Sequence, residues 1–362
     1  MRPGKIRASV IGAGWYAAQN HIPVLARRDD VELDGVSRLG AEELERVRSH
    51  FGFAFASQNH RELLDRKPDV VVVASPHHLH YEHARDALLA GAHVLCEKPL
   101  TLDPAEAWDL VKIAREKDLH LLVANGYQYL PQVDLLRRRI ADGAVGRIEH
   151  VMVSFISATR DVFEGNRGLN AWRTSFFRPD PATWQDPRQG GGFAYGQLSH
   201  SLALMIFLTG LYPTQASALT FGSSVDLADS AVLSLENGAV ASISGAAAMP
   251  QGNRGLMRIF VAGSEGILTA EFDRDWCEIR RVSGEVERLE LQAGDWVYRC
   301  DGPVDRLVEL ARGAGENHSP GEIGAATTAT IAAMLASARG GGRPERLHLP
   351  LDSAFRRERA AT

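Results

Sequence analysis

The chain lacks the usual means of building a secreted, membrane-spanning or nucleic-acid-binding protein. Among its 362 residues are three cysteines, Cys96, Cys277 and Cys300. They are widely separated, odd in number and without metal-ligand spacing, which excludes a disulfide framework and fits a reducing compartment. The longest apolar stretch, around Leu202 to Leu208, is far too short to span a bilayer. No block of like charge occurs. The 40 basic and 45 acidic residues are interspersed and leave a net charge of −5, so no nucleic-acid or membrane partner is expected. Met1-Arg2-Pro3-Gly4 runs almost at once into an apolar strand, leaving no room for a signal peptide, and the expected location is cytoplasmic.

What remains is an ordinary globular composition, 45% hydrophobic and 23% charged, in a chain longer than one hydrophobic core usually serves. Two domains follow as the expectation. The clearest signal is N-terminal: Ile6 to Ile11, a strand-length apolar run, ends in Gly12-Ala13-Gly14-Trp15-Tyr16-Ala17 and passes into a helical pattern through Ala26. This is the strand–turn–helix setting of a dinucleotide fingerprint. Gly12 makes the tight turn, Gly14 lets main-chain amides approach a pyrophosphate, and Ala17 allows close helix–strand packing. The helix start offers free N–H groups to phosphate oxygens.

The second strand, Val31 to Ser37, ends in Ser37-Arg38, and Asp34 lies inside the strand rather than at its end. An acidic residue at that end would bind the ribose hydroxyls of NAD, whereas an arginine accommodates the extra phosphate of NADP. A hydroxyl beside a guanidinium favours NADP(H) over NAD(H). Val70 to Ala74 is a continuous β-branched run, typical of a strand buried on both faces, and leads into Ser75-Pro76-His77-His78-Leu79-His80. His77, His78, His80 and His83 have no cysteine or carboxylate cluster to complete a metal site, so no metal is expected and they read as lining the cofactor cleft. His93 to Cys96 delivers Glu97-Lys98-Pro99 to the carboxyl edge of the sheet, where ligands of open α/β sheets bind. Asp103-Pro104 starts a helix, and His120 to Ala124 is the last parallel strand. Residues 1–125 therefore read as an N-terminal Rossmann domain, a doubly wound parallel sheet.

Beyond residue 125 the periodicity changes. One helix, Gln132 to Ala141, precedes period-two segments at Ile148 to Ile156, Gln215 to Phe221, Ala231 to Leu235, Ala239 to Ser244, Leu256 to Ala262, Ile267 to Glu271, Cys277 to Val282 and Val286 to Leu291. Short turns such as Glu236-Asn237-Gly238 join several of them. Residues 126–362 thus read as an α+β domain, a large open, mostly antiparallel sheet covered by helices at Gln197 to Leu208, Val304 to Arg312 and Ile323 to Ala338. Its exposed face points to a homodimer or homotetramer. Residues 157 to 192 form a long irregular connection rich in aromatic and basic residues, including Phe163, Trp172, Arg173, Phe176, Phe177, Arg178 and Trp184. Long connections of this kind are usually functional or disordered, and the aromatics argue against disorder. The stretch ends in Gly190-Gly191-Gly192, with His200 at the start of an apolar helix.

These residues resemble the Gfo/Idh/MocA family of NAD(P)-dependent sugar and polyol oxidoreductases over nearly the whole chain. The likeness rests on Gly12 to Ala17, on Ser75 to His80, on Ala90-Gly91-Ala92-His93-Val94-Leu95-Cys96-Glu97-Lys98-Pro99-Leu100, and on the triple glycine ahead of His200. The resemblance implies a cofactor held by Gly12, Gly14, Trp15, Tyr16, Ser37, Arg38, Ser75, Pro76, His77, His80, Glu97 and Lys98. It puts Lys98 beside the nicotinamide and the reacting hydroxyl, with His200 opposite. Two positions depart from the family pattern. An Asp often found four residues before the histidine is Gly196 here, with Leu198 in place of a later glycine, and the usual Asn of the Pro-Asn-x-x-His turn is His77.

The chemistry expected is hydride transfer between a nicotinamide and a hydroxyl or carbonyl of a sugar, polyol or sugar derivative. His200 acts as acid/base, while Lys98 bonds the same oxygen and steadies its developing charge. Tyr127, Trp172, Arg173 and Gln197, with Lys98 and His200, are the expected substrate contacts. Two alternatives remain open: redox-neutral cleavage of a glycoside through transient oxidation, and a non-enzymatic regulator that binds cofactor and sugar.

Overall fold

The structure, a computed structural model, describes residues 4–165, 176–178, 181–250 and 252–350. The first sheet comprises β1 (Ile6–Ile11), β2 (Val31–Ser37), β3 (Phe55–Ser57), β4 (Val70–Val73), β5 (His93–Cys96) and β6 (Leu121–Val123). Their order is β3-β2-β1-β4-β5-β6, every pair parallel, which is the doubly wound arrangement. All four valines of β4 are fully buried, as expected for a strand with helices on both faces. The chain reverses direction across the sheet between β1 and β4, and that switch point opens the crevice of the site.

Asp34 of β2 is buried and gripped by Arg7 and Arg66, with N–O distances of 2.9 and 2.7 Å. Burial alone would push its carboxyl up, but the two guanidinium groups hold it below the usual carboxylate range. Asp34 is thus a structural anion held between two partly exposed arginines.

The second sheet has nine strands: β7 (Ile148–Ile156), β8 (Pro213–Gly222), β9 (Asp226–Leu235), β10 (Val240–Ala246), β11 (Leu256–Gly263), β12 (Gly266–Glu271), β13 (Trp276–Arg281), β14 (Val286–Arg288) and β15 (Glu345–Arg346). They are ordered β14-β13-β12-β11-β7-β10-β9-β8-β15, antiparallel except for β7 against β10. Burial alternates along β9, so one face meets the core. The helix Ser199–Thr209 is apolar on every side and lies within that core. The opposite face exposes Met152, Leu219, Phe221, Val232 and Val240.

One helix expected over the second sheet covers the first instead. Val304, Leu307, Val308 and Leu310 of helix Asp301–Ala311 are buried with Val10, Leu25, Leu95 and Leu122. The amphipathic pattern of this helix shows that it buries a face, but not which sheet receives it. Helix Gly321–Arg339 adds Ala325 to the core on the other side of the first sheet and Ile331 and Met334 to the core of the second. Among the described residues no helix is long and apolar enough to cross a membrane.

Candidate active site

A cavity of about 1060 Å³ runs along the carboxyl ends of β1, β2, β4 and β5 and under the start of the apolar helix. Most of the described residues expected in the site line it: Gly12, Gly14, Trp15 and Tyr16; Ser37 and Arg38; Ser75, Pro76, His77, His80 and His83; Glu97 and Lys98; Tyr127, Gln197 and His200, whereas His78, expected in the cleft, is not among the lining residues. Trp172 and Arg173 lie outside the described residues.

At one end Gly12 adopts φ +82°, and a Cβ there would collide with the main chain of Ser75, so glycine is required twice over. A Cβ on Gly14 would meet nothing closer than Gly12 O at 3.9 Å, so that main chain faces open cavity. The N–H groups of Gly12 and Ala13 both donate to Ser37 O, tying the turn to the end of β2. Arg38 lies over the ring of Phe177 at 3.9 Å, and Arg178 lines the same end. With Asp34 committed to Arg7 and Arg66, Ser37 and Arg38 stand at the end of β2, where a ribose would lie. These features fit a dinucleotide: a close-approach turn, a helix start facing the cavity, and a hydroxyl–guanidinium pair at the ribose end.

The histidine-rich turn is occupied by local contacts. His77 Nδ1 lies 3.1 Å from Gly190 O, and His83 Nδ1 lies 2.9 Å from Ser75 Oγ. Burial, reinforced by His60, pushes His83 down to about 4. His80 is fully buried with Nδ1 2.7 Å from Pro99 O and Nε2 2.8 Å from Ser75 O. Burial lowers its pKa, and the two carbonyl acceptors, Pro99 O and Ser75 O, offset that only in part. His80 therefore braces the Glu97-Lys98-Pro99 turn from below. His60, Glu82 and Asp86 are close enough to share an ion, but Arg61 already donates to both carboxylates.

At the other end Glu97 is fixed twice: Oε1 lies 2.7 Å from His21 Nε2, and Oε2 accepts from the Lys98 main-chain N–H at 3.1 Å. The Lys98 ammonium is buried and donates to Gly196 O at 2.5 Å. Burial lowers its pKa, with Glu97 and Cys300 opposing. The Gly196 carbonyl belongs to a wide turn, Ala194–Leu198, closed by Ser199 N–H onto Ala194 O. A matching wide turn, Ala17–His21, carries His21 on the opposite wall. Such π-turns occur frequently at functional sites.

His200 follows one turn after Gly196. Its Nδ1 is buried without a hydrogen-bond partner, and the ring edge meets Tyr127 and Tyr298 at 6.0 and 5.1 Å between centroids. Burial, with the charge of Lys98 adding, pulls its pKa well below the usual histidine value. Burial and the neighbouring ammonium thus favour the neutral imidazole, with an unpaired Nδ1 in the cavity.

The missing carboxylate at position 196 has a physical explanation. A Cβ on Gly196 would lie 2.8 Å from Phe163 Cζ and 3.5 Å from Trp184 Cζ3, so two rings occupy the space an Asp would need. Lys98 is instead paired with a main-chain carbonyl.

Sequence reasoning missed Tyr298, Cys300 and His21. Tyr298 donates to Ala124 O at 3.2 Å, and Tyr16 Oη lies 3.2 Å from Cys300 Sγ. Burial pushes both phenols up, and Cys300 to about 11. Residues 292–300 have no periodicity, and only the crowding of Trp296, Tyr298 and Cys300 in five residues marks them.

Comparison with known proteins agrees with this geometry. The chain matches the oxidoreductase family model with an NAD-binding Rossmann fold over residues 6–125 and the GFO/IDH/MocA C-terminal domain over residues 133–269. It is 29% identical to an uncharacterized oxidoreductase of Synechocystis over 61% of this chain and 55% of that protein. It is 33% identical to D-glucoside 3-dehydrogenase of Escherichia coli over 41% of this chain and 42% of that protein. The chain thus spans about half the length of these curated relatives. In fold it is similar to levoglucosan dehydrogenase solved with NADH and levoglucosan, with TM-score 0.78, 19% identity, and coverage of 96% of this chain and 100% of that one. With both domain models matched in order along most of its length, the chain belongs to the Gfo/Idh/MocA oxidoreductase family.

Proposed function

We propose that the protein is an NADP(H)-preferring oxidoreductase of a hydroxyl or carbonyl on a sugar, polyol or glycoside. The observation that carries this reading is the meeting of Lys98 and His200. One comes from the end of β5 and the other from the apolar helix, and both are buried in the cavity that begins at Gly12 and Arg38. The names of the relatives, which include D-glucoside 3-dehydrogenase and levoglucosan dehydrogenase, support a carbohydrate alcohol as substrate.

A bound nicotinamide would supply the hydride acceptor or donor. In the oxidation direction, neutral His200 takes the alcohol proton, a transfer that contributes about 10²–10⁴-fold when the base is well placed. Lys98 donates to the same oxygen as its negative charge grows and then releases the ketone. Glu97, clamped by His21, fixes the main chain at Lys98. Tyr127 and Gln197 line the space left for the sugar, and Phe163 and Trp184 close the wall beside Gly196. Ser37 and Arg38 would meet the extra ribose phosphate, and their place at the end of β2 supports NADP(H).

The test is a spectrophotometric screen of NADPH and NADP⁺ against aldoses, ketoses, inositols and glycosides, with product analysis. Stoichiometric cofactor turnover supports oxidation. Bond cleavage without net cofactor turnover shows redox-neutral glycoside cleavage, and binding without turnover shows a regulator. The exposed apolar residues on the second sheet support pairing with another copy, and sedimentation should give a dimer or tetramer.

A further inference from the structure

Behind the turn that carries Gly196 lie two carboxyl groups with no part in the chemistry above. Asp226, at the start of β9, accepts the Ala194 N–H on Oδ2 at 2.6 Å, and the Phe193 amide also bonds to it. Gly192, at φ +105°, passes so close that any Cβ would collide with this carboxylate, which explains the last of the three glycines. Asp229 is 3% exposed, and neither of its oxygens meets a donor among the described residues. Its polar neighbour is the Asp226 carboxyl, and the two bond only if one carries a proton. Two charges so placed in a buried site cannot both persist. Burial raises both carboxyls, and the amides of Phe193 and Ala194 that point at Asp226 oppose the rise there, so the charge rests on Asp226 and the proton on Asp229.

We propose that Asp226 and Asp229 are a proton-sharing pair that positions the active-site turn. Asp229, held as the neutral acid, donates to the Asp226 carboxylate. That carboxylate clamps the amides of Phe193 and Ala194, and so sets the Gly196 carbonyl against Lys98 and aims His200. Neither residue touches the reacting atoms. The positioning role rests on the reading of Lys98 and His200 given above, whereas the shared proton does not.

Few other groups face the pair. Tyr195 lies in the clamped turn, donates its hydroxyl to Leu102 O, and also feels Arg339 and Asp103. Asp226 is the charged group acting on Asp229. Burial, with the Asp226 charge adding, pushes Asp229 up to about 9, whereas an unfolded aspartate titrates near 3.9. A folded pKa raised in this way gives stability that is complete below the unfolded value and is lost as pH rises towards the folded one.

The experiment compares wild type with Asp229→Asn, which keeps a donor but cannot titrate, by thermal denaturation from about pH 5 to about pH 9. Relative to the variant, the wild-type Tm should fall progressively as pH rises. Infrared difference spectra at neutral pH should show a protonated-acid carbonyl band in wild type that is absent from Asp229→Asn. Asp229→Leu, which removes the donor, should lose kcat by about 10²-fold with cofactor KM unchanged, and Asp229→Asn should retain it. A Tm gap independent of pH, or no acid band, overturns the shared proton; equal kcat losses in Asn and Leu variants overturn the positioning role. If Asp229→Asn does not fold, the acid band in wild type labelled at aspartate decides alone. Both physical readouts stand even if no sugar is turned over, which separates this proposal from the functional reading.

Discussion

The two walls of the cleft are built differently. The wall formed by β1, β4 and β5 is held by the main chain: Gly12 and Ala13 on Ser37 O, Ala74 on Ile11 O, Glu97 on Val73 O. The wall formed by residues 193–200 is held by side chains from elsewhere, with Asp226 on Ala194, Phe163 and Trp184 against Gly196, and Tyr298 against His200. Neighbouring strands thus fix most of the cofactor side through the main chain, with His80 and the His21–Glu97 pair bracing the Lys98 turn. The substrate side depends on which distant residues arrive. Substitutions on the first wall should therefore act on cofactor or on the ammonium itself, and those on the second on hydroxyl geometry and on stability.

The largest effect should come where the walls meet. Lys98→Met should lower turnover by about 10²–10⁴-fold while cofactor binding, followed by fluorescence titration, stays intact. Full turnover would break the assignment. On the first wall, Arg38→Ala should weaken NADPH binding by about tenfold or more, the worth of a charged hydrogen bond, and leave NADH unchanged. Equal losses for both cofactors would remove Arg38 from the ribose end. On the second wall, Gly196→Ala should cost about 1–3 kcal/mol through overpacking against Phe163, although alanine ordinarily stabilises a helix. Adding Phe163→Leu should recover part of that loss in thermal denaturation. The smallest effect is in pH: because burial lowers the Lys98 pKa, the ammonium that steadies the alkoxide is lost, and alcohol oxidation should fall, at a lower pH than an ordinary lysine would give, and this limb should vanish in Lys98→Met.

The same contrast decides what could be read from the amino-acid sequence. β1, its glycine turn, β4 and the Glu97-Lys98 turn are local patterns, and the structure has them as read. All strands of the second sheet but the two-residue β15 were legible by alternation, but β9 starts five residues earlier than its apolar pattern, because Asp226 and Asp229 interrupt that pattern while lying in the strand. Period alone could not assign helix Asp301–Ala311 to the first sheet, since either sheet offers an apolar face. His21, Tyr298 and Cys300 reach the site through pairings 76 to 284 residues apart, which no local pattern encodes. The reason for glycine at 196 became visible only with Phe163 placed against it.

The account stands on one ammonium and one imidazole serving a single alcohol oxygen. Single-turnover hydride transfer in Lys98→Met, in a His200→Asn variant and in their double mutant tests this directly. Groups that act as a unit are strongly non-additive, so the double mutant should be about as slow as the worse single variant. Losses that multiply would mean that the two side chains work independently, and would contradict the account.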